Sequence, residues 1–212
     1  MKQSNRPEGT GKHGQLKVIG ITGGVGAGKS TVLNYLKEKY HAKIYLADEV
    51  AKMLLKPGQE CFEKVRAIFP QYVFTKEGEI DRIKMAELIF AHPEYRIRQN
   101  EIVFPAVKDY FRTQIQKEKE AGTKLMIIEA ALLIEEHYEE LCDSLWYVFT
   151  DEFTRRERLT SDRGYSQEKI TNIMNSQLTE EEFRRHTDVL IDNSKSVENT
   201  RESIDRIMGD WV

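Results

Sequence analysis

The segment 20–31, GITGGVGAGKST, places four glycines, at positions 23, 24, 26 and 28, directly before a lysine and two hydroxyl residues. Backbone N–H groups can converge on one phosphate when the chain curls tightly, and glycine permits that curl because it has no Cβ. Lys29 can pair with the β- and γ-phosphates, and the Ser30 hydroxyl can coordinate Mg²⁺. A helix that begins here adds free N–H groups and its positive dipole end. The segment therefore predicts a site for a nucleoside triphosphate.

The spacing of Gly23, Gly28, Lys29 and Ser30 fits the phosphate-binding loop pattern G-x-x-x-x-G-K-[ST]. That pattern requires a strand before it and a helix after it. An apolar run at 16–21 predicts the strand, and the helical spacing of the apolar residues that follow the loop predicts the helix. The predicted ATP contacts are Gly24, Gly26, Ala27, Gly28, Lys29, Ser30, Thr31 and Asn193.

The loop alone does not distinguish GTPases, motors, synthetases and kinases. The guanine signature N-K-x-D and the switch motif D-x-x-G of regulatory GTPases do not occur in the 212 residues. A small-molecule kinase needs an acceptor pocket, a base near the acceptor hydroxyl and a lid that bears arginines.

Two acidic residues follow predicted strands at the edge where ligands bind in α/β sheets. Asp48 follows the run 42–47 and is the candidate base for an acceptor hydroxyl, or the holder of a water on Mg²⁺. Its alternative is a helix N-cap. Glu129 ends the run 124–130 and is a candidate Mg²⁺ ligand through water, with a solvated strand-end carboxylate as the alternative.

Four arginines in the segment 155–166 are candidates for a lid over ATP: Arg155, Arg156, Arg158 and Arg163. A hinged helical pair that carries arginines can close over the nucleotide and neutralise charge during transfer. Arg158 and Arg163 are the favoured contacts, and with Lys29 and Asp48 they form the predicted catalytic set. The alternative is a solvated helix face with local charge pairs.

Two further polar residues have both a functional and a structural interpretation. Arg82, in the turn 77–82, could bind a phosphate or carboxylate of the acceptor, or be a surface charge after a helix cap. Asn193 follows the last predicted strand, where its backbone is expected to border the base of the nucleotide. An ordinary strand-to-helix turn is the alternative for Asn193.

The order of elements predicts an α/β fold. Apolar runs predict five strands, and helices between them imply a parallel sheet covered on both faces. The predicted strands are 16–21, 42–47, 124–130, 144–150 and 188–193. The region 59–120 has helical patterns and no convincing strand, and Pro105 is expected to interrupt or kink its last helix. A charged helical pair around a glycine turn is predicted at 151–177.

Composition limits the classes of partner. A formal charge of −3 gives no general basis for binding nucleic acid or a membrane. Two cysteines far apart in the chain suit a reducing cytosol. Residues 1–14 are polar and are expected to form a disordered leader. No apolar run approaches ~18 residues, so a cytoplasmic protein is expected.

Taken together, these segments resemble the dephospho-CoA kinase family. The phosphate-binding loop matches its G-x-T-G-G-x-G-[AS]-G-K-S-T, and 46–52 matches D-A-D-x-[IV]-A-[RH] in part. The turn 77–82 is similar to D-G-x-[LI]-D-R, and 129–135 is similar to D-x-P-L-L-x-E. Asn100, Ile102 and Pro105 match part of L-N-x-I-x-H-P. The resemblance covers nearly the whole chain after the leader.

The resemblance implies a three-layer P-loop kinase fold with a five-stranded parallel sheet. Its core would be 15–58, 121–150 and 187–212, with a helical acceptor-binding insert at 59–120 and a lid at 151–186. The implied reaction uses ATP and Mg²⁺ to phosphorylate the ribose 3′-hydroxyl of dephospho-CoA, with Asp48 as the base. The implied acceptor contacts are Asp48, Lys52, Arg82 and Asn100. Magnesium would bind at Ser30 and Glu129, and the enzyme would be a monomer or a small homo-oligomer.

The chain departs from the family pattern at four points. Leu46 replaces the first aspartate of D-A-D, and Phe104 stands where the family usually has histidine. Ala131 replaces a proline, and Arg163 lies one position later than the usual lid arginine. Two other functions remain open: a P-loop kinase for another acceptor, and an ATP-binding switch without catalysis.

Overall fold

The computed structural model describes residues 16–209, so the predicted leader 1–14 lies outside the described residues. A five-stranded parallel sheet with strand order β2-β3-β1-β4-β5 forms its centre. The strands are β1 (Lys17–Thr22), β2 (Lys43–Leu46), β3 (Leu125–Glu129), β4 (Ser144–Phe149) and β5 (Val189–Asp192). The first and last residues of all five strands differ by at most one position from those of the predicted runs.

The register of the strands aligns their carboxyl ends at one edge of the sheet. Ile21 of β1 pairs with Glu129 of β3, and Thr22 pairs with Tyr147 of β4. Leu46, the last residue of β2, also pairs with Glu129. The loop after β1, the end of β3 and the start of the helix after β2 therefore meet at one edge of the sheet.

Nine helices surround the sheet within residues 16–209. They are α1 (Lys29–Tyr40), α2 (Ala47–Leu54), α3 (Glu60–Ile68), α4 (Arg82–Ala91), α5 (Glu94–Glu120), α6 (Glu152–Arg163), α7 (Gln167–Asn175), α8 (Glu180–His186) and α9 (Val197–Gly209). Two short 3₁₀ turns lie at Gln71–Val73 and Tyr138–Glu140. None of the helices in this part of the chain has the length and apolar character needed to cross a membrane.

Two apolar cores make the fold three-layered. On one face of the sheet, Leu36 of α1 and Ile204 of α9 pack with Ile127. On the other face, Val50 of α2 and residues of the insert pack with Ile128. Alternate residues of the buried strands thus pack into the cores on opposite faces of the sheet, which is the pattern of a parallel sheet between helical layers. The predicted fold class is confirmed.

The insert is continuous with the second core. Phe62 of α3 and Phe111 of α5 are buried in the same cluster as Met126 and Tyr147 of the sheet. Of the two expectations for Pro105, interruption of the last helix is wrong, because α5 runs through it from Glu94 to Glu120, and a kink stays a prediction. Burial of the α5 face that packs on this core offsets the missing N–H of the proline.

The helical pair predicted at 151–177 is confirmed as α6 and α7, and a third helix, α8, follows it within 151–186. Gly164 ends α6 in a left-handed conformation with φ 62°, as the glycine turn predicted. The additional helix, α8, begins at a capping box in which the Thr179 and Glu182 side chains bond reciprocally to backbone N–H groups.

Candidate active site

The phosphate-binding loop (residues 23–28) connects β1 to α1 and depends on glycine at three points. Gly26 and Gly28 have φ of 82° and 79°, values that favour glycine. A Cβ at Gly28 would also clash with the side-chain amide of Asn193, and a Cβ at Gly23 would clash with the carbonyl of Val148. The loop backbone therefore lies close to the ends of β4 and β5, where a side chain would not fit.

Lys29, the first residue of α1, folds back over the loop. Its Nζ donates to the Gly23 carbonyl at 2.8 Å and lies 3.6 Å from Oε1 of Glu129. Burial lowers the pKa of Lys29, and Glu129 opposes that effect. Burial raises the pKa of Glu129, and Lys29 in turn opposes it. Each group therefore helps to keep the other charged in a largely desolvated position.

Residues after β4 and β5 hold the end of the loop next to α1. The Ala27 carbonyl accepts hydrogen bonds from Thr150 Oγ1 at 2.9 Å and from Asn193 Nδ2 at 2.8 Å. Thr200 Oγ1 of α9 donates to Asn193 Oδ1 at 2.9 Å. Asn193 is 3% exposed, so its side chain is a buried support for the loop. The sequence had assigned a role only to its backbone.

Arginines of α6 contact the loop at both ends. Arg158 donates to the Asn193 carbonyl at 2.9 Å and to Thr150 Oγ1 at 3.3 Å. Arg155 Nε donates to the Val25 carbonyl at 3.1 Å. Arg163, by contrast, is exposed in the last turn of α6. The structure thus brings Arg158 to the loop as predicted, and it brings Arg155 there rather than Arg163.

Asp48 is the second residue of α2 and not the last residue of a strand. The N-cap of α2 is Leu46, which makes no side-chain cap bond, so the N-cap alternative for Asp48 is wrong. Asp48 is exposed, and its charge acts on Lys29 and Glu129. Leu46, two residues before Asp48, pairs with Glu129, and Glu129 lies 3.6 Å from Lys29, so the predicted base lies at the sheet edge that carries the phosphate-binding loop.

A small cavity of about 70 Å³ adjoins Asp48 between α2 and α5. Phe104 and Ala131, two of the departures from the family pattern, are among the residues that line it. Tyr138, buried at its wall, has its pKa raised to about 12, chiefly by burial and secondarily by Glu136 and Asp48. The cavity is mostly apolar, with carboxylates at Asp48 and Glu136.

The other predicted acceptor contacts are separate from this cavity. Lys52 lies one turn after Asp48 on α2 and pairs with Glu49 at 2.7 Å. Arg82 is exposed at the start of α4, whose N-cap is Asp81, and Asn100 is half-buried in α5. Neither Arg82 nor Asn100 lines the cavity.

The predicted metal ligands are both neighbours of Lys29, one along the chain and the other at the end of β3. Ser30 is exposed in the first turn of α1, and Glu129 lies at the end of β3, beside the Lys29 ammonium. Both offer oxygen, the ligand type that Mg²⁺ prefers, and phosphate oxygens of a nucleotide would complete such a set.

Sequence reasoning missed three residues that support the loop: Thr150, Gln177 and Thr200. Thr150 follows β4 at the same sheet edge as Glu129, so the strand-end argument that identified Glu129 also applies to it. Gln177 and Thr200 lie in or next to distant helices and carry no motif. Only the folded chain shows that Gln177 accepts from the Val25 N–H and that Thr200 acts on the loop through Asn193.

Comparisons with known proteins agree with this geometry. The family model described as dephospho-CoA kinase matches residues 17–199. Among curated relatives, dephospho-CoA kinase of Carboxydothermus hydrogenoformans is 35% identical over 196 residues, which is 92% of this chain and 95% of the relative. That of Listeria monocytogenes is 35% identical over 190 residues, with coverage of 89% and 94%.

Solved structures share the fold. A Thermus thermophilus protein superposes with a TM-score of 0.76 at 23% identity, covering 93% of this chain and 99% of that one. Dephospho-CoA kinase of Campylobacter jejuni has a TM-score of 0.69 at 23% identity, with coverage of 92% and 96%. A shikimate kinase of Acinetobacter baumannii is more distant, with a TM-score of 0.54 at 16% identity and coverage of 94% and 97%.

Proposed function

The chain belongs to the dephospho-CoA kinase family, and we propose that it transfers the γ-phosphoryl group of ATP to the ribose 3′-hydroxyl of dephospho-CoA. The products are CoA and ADP, and the reaction is the last step of CoA synthesis. The family match over residues 17–199 supports the choice of acceptor. The single observation that carries the mechanism is that Asp48 lies two residues after Leu46, the strand partner of Glu129, whose carboxylate lies 3.6 Å from Lys29.

The loop binds the nucleotide. Its backbone N–H groups and the free N–H groups of α1 bind the phosphates, and the Ser30 and Thr31 hydroxyls lie at the same helix end. Lys29 exchanges its bond to the Gly23 carbonyl for the β- and γ-phosphates. Arg158 lies at the opposite end of the loop, next to Asn193, where it can neutralise charge on the phosphates of the bound nucleotide.

Asp48 acts on the acceptor. The 3′-oxygen forms a bond to the γ-phosphorus while the bond from that phosphorus to the β–γ bridging oxygen breaks, and ADP leaves. Asp48 accepts the proton of the 3′-hydroxyl. Phe104 presents an apolar ring to the adjoining cavity, so packing there replaces any polar contact that histidine makes in relatives. Lys52, Arg82 and Asn100 are the proposed partners for the remaining polar groups of the acceptor.

Magnesium fits the oxygen groups available. Ser30 would hold it directly and Glu129 would hold it through water, once Lys29 has moved to the phosphates. When bound, Mg²⁺ neutralises charge on the β- and γ-phosphate oxygens. The charge and cysteine content also support a cytoplasmic enzyme that acts on small molecules rather than on nucleic acid. We expect it to be a monomer or a small homo-oligomer.

A coupled assay of ADP release across acceptors tests the proposal. ADP release is expected with dephospho-CoA and Mg²⁺-ATP, and not with shikimate or a nucleoside monophosphate. Turnover of a nucleoside monophosphate without turnover of dephospho-CoA would assign the chain to another kinase activity. ATP binding without acceptor-dependent ADP release would support a switch.

A further inference from the structure

Arg155 lies directly against the phosphate-binding loop at the end remote from α1. Its Nε donates to the Val25 carbonyl at 3.1 Å, and its Nη2 donates to Oε1 of Gln177 at 2.7 Å. The same Gln177 oxygen accepts from the Val25 N–H at 3.3 Å. A Cβ at Gly24 would clash with the guanidinium, so Arg155 is in close contact with the backbone there.

The position of Lys29 identifies which phosphate this end of the loop faces. A lysine at this point of the motif reaches the β- and γ-phosphates. Its Nζ lies at the Gly23 carbonyl, one residue from the Gly24 backbone that Arg155 covers. Arg158 lies instead at Gly28 and Asn193, the other end of the loop. Arg155 therefore lies at the γ-phosphate end.

The charge of Arg155 has no carboxylate partner among residues 16–209. Its hydrogen-bond acceptors are a carbonyl and an amide oxygen, which are neutral. The neighbouring acid Glu152 pairs with Arg156 at 2.8 Å instead. Burial lowers the pKa of Arg155, and its charge helps to lower the pKa of Lys29. Two partly buried cations thus face one loop, an arrangement that an anion would stabilise.

We infer that the Arg155 guanidinium binds the γ-phosphate of ATP and supplies the lid cation that sequence spacing assigned to Arg163. This inference rests on the proposed function only in taking ATP as the phosphoryl donor. The hydrogen bonds to Val25 and Gln177 fix the orientation of the guanidinium group. Its Nη1 makes no hydrogen bond within the described part of the chain. During transfer, Arg155 neutralises charge on the equatorial γ-phosphate oxygens.

The test compares the affinities of ADP and the non-hydrolysable ATP analogue AMP-PNP by calorimetry, with Mg²⁺ and without acceptor. Arg155→Gln is expected to weaken AMP-PNP binding by ~10- to 100-fold, the range for a hydrogen bond to a charged group, and to leave ADP binding unchanged. The turnover number should fall by roughly 10²–10³. Arg185→Gln, at an exposed position of α8 where the arginine pairs with Glu181, should change neither affinity.

An equal loss of AMP-PNP and ADP affinity in Arg155→Gln would overturn the inference, because a residue that only supports the loop would affect both ligands. No loss of either affinity, or a selective loss in Arg163→Gln alone, would overturn it as well. If circular dichroism shows that Arg155→Gln does not fold, Arg155→Lys replaces it and should lose part of its AMP-PNP affinity while keeping its ADP affinity. A ratio of AMP-PNP to ADP affinity equal to that of the unmodified protein would count against the inference. The binding measurements contain no acceptor, so they do not depend on whether the protein phosphorylates dephospho-CoA. A failure of the proposed function would therefore be seen in the turnover assay and not in these affinities.

Discussion

The Lys29 ammonium lies between the Gly23 carbonyl at 2.8 Å and the Glu129 carboxylate at 3.6 Å. Burial opposes the charge of both ionisable groups, and their mutual attraction retains it. A triphosphate would offer Lys29 a stronger partner and would release Glu129 toward a metal. The resting ion pair therefore keeps the lysine charged and close to the position where it acts.

Asp48→Asn tests the role of the base at the level of one residue. The amide cannot accept the acceptor proton, so the turnover number is expected to fall by roughly 10²–10⁴. ATP affinity should stay unchanged, because Asp48 is exposed and no loop residue depends on it for a hydrogen bond within residues 16–209. Steady-state kinetics and calorimetry measure the two effects.

Glu60→Gln is the matched control for Asp48→Asn. It also removes an exposed acid from the first turn of a helix, but in α3 and paired with Lys64. Its turnover should equal that of the unmodified enzyme. Equal turnover in Asp48→Asn would remove Asp48 from the role of base.

At the scale of elements, the loop is held from the side of β4, β5 and α9. Asn193→Ala would remove the donor to the Ala27 carbonyl and leave the buried Thr200 hydroxyl without its acceptor at Asn193. Loss of such buried partners costs about 1–3 kcal/mol of folding free energy. The KM for ATP should rise because the loop loses a support.

Urea unfolding and ATP kinetics measure the Asn193→Ala effects. Asn175→Ala, at the exposed C-terminal end of α7, is the control and should change neither quantity. A stable Asn193→Ala variant with unchanged KM would show that the loop does not depend on Asn193.

The contact between α1 and α9 predicts a dependence of stability on pH. Asp205 accepts hydrogen bonds from Lys39 at 2.7 Å, Tyr40 at 2.7 Å and Tyr35 at 2.9 Å. The bond from Lys39, followed by that from Tyr40, lowers the pKa of Asp205 below its ordinary 3.8. Because the folded-state pKa is lowered, this stabilisation is present above the ordinary value and is lost as pH falls through the lowered one.

Asp205→Asn should therefore lower the urea midpoint of unfolding at neutral pH. The difference in midpoint between the variant and the unmodified protein should become smaller as the pH falls below 3.8. Urea titrations of both proteins across this range measure the difference. A difference between the two midpoints that stays constant across the range would contradict the assignment. Asp162→Asn, on an exposed stretch of α6, is the control.

At the scale of the whole molecule, the insert and the sheet share one core. Phe111 is fully buried among Tyr45 and Tyr138, with ring centroids 6.4 and 5.9 Å away. Phe111→Ala should cost about 3–5 kcal/mol. Unfolding should remain a single transition by circular dichroism and by fluorescence of Trp146, read in a Trp211→Phe background. Phe90→Ala, at a position 91% exposed on the insert, is the control.

A separate early transition for the insert would contradict a shared core. It would mean that the acceptor-binding region folds independently of the nucleotide-binding sheet. The same two probes in the unmodified protein decide this point, since the coincidence of their midpoints is the test of one cooperative unit.

Much of this fold and of its candidate site could be predicted from the sequence, because the hydrophobic pattern indicates the strands and helices, and the positions of polar residues relative to the strands indicate the site. The buried strands are continuous apolar runs, Lys29 follows from the loop motif, and Asp48 and Glu129 follow from the rule that ligands bind at strand ends. The continuity of α5 through Pro105 could not be predicted, because it depends on packing against the sheet. For α8, the capping box at Thr179 was visible, but only 7 residues follow it.

The lid contacts show where sequence spacing stops being informative. Spacing favoured Arg158 and Arg163, yet the direction in which a helix presents each arginine depends on how the helix packs. Arg155 reaches Val25 over a sequence separation of 130 residues. Only tertiary structure brings these two positions together.

The most direct test of the account is a crystal structure with dephospho-CoA and AMP-PNP bound together. The account predicts the ribose 3′-oxygen within about 3.2 Å of an Asp48 carboxylate oxygen and facing the γ-phosphorus. A 3′-oxygen that faces the γ-phosphorus from elsewhere, with Asp48 directed away from it, would contradict the account.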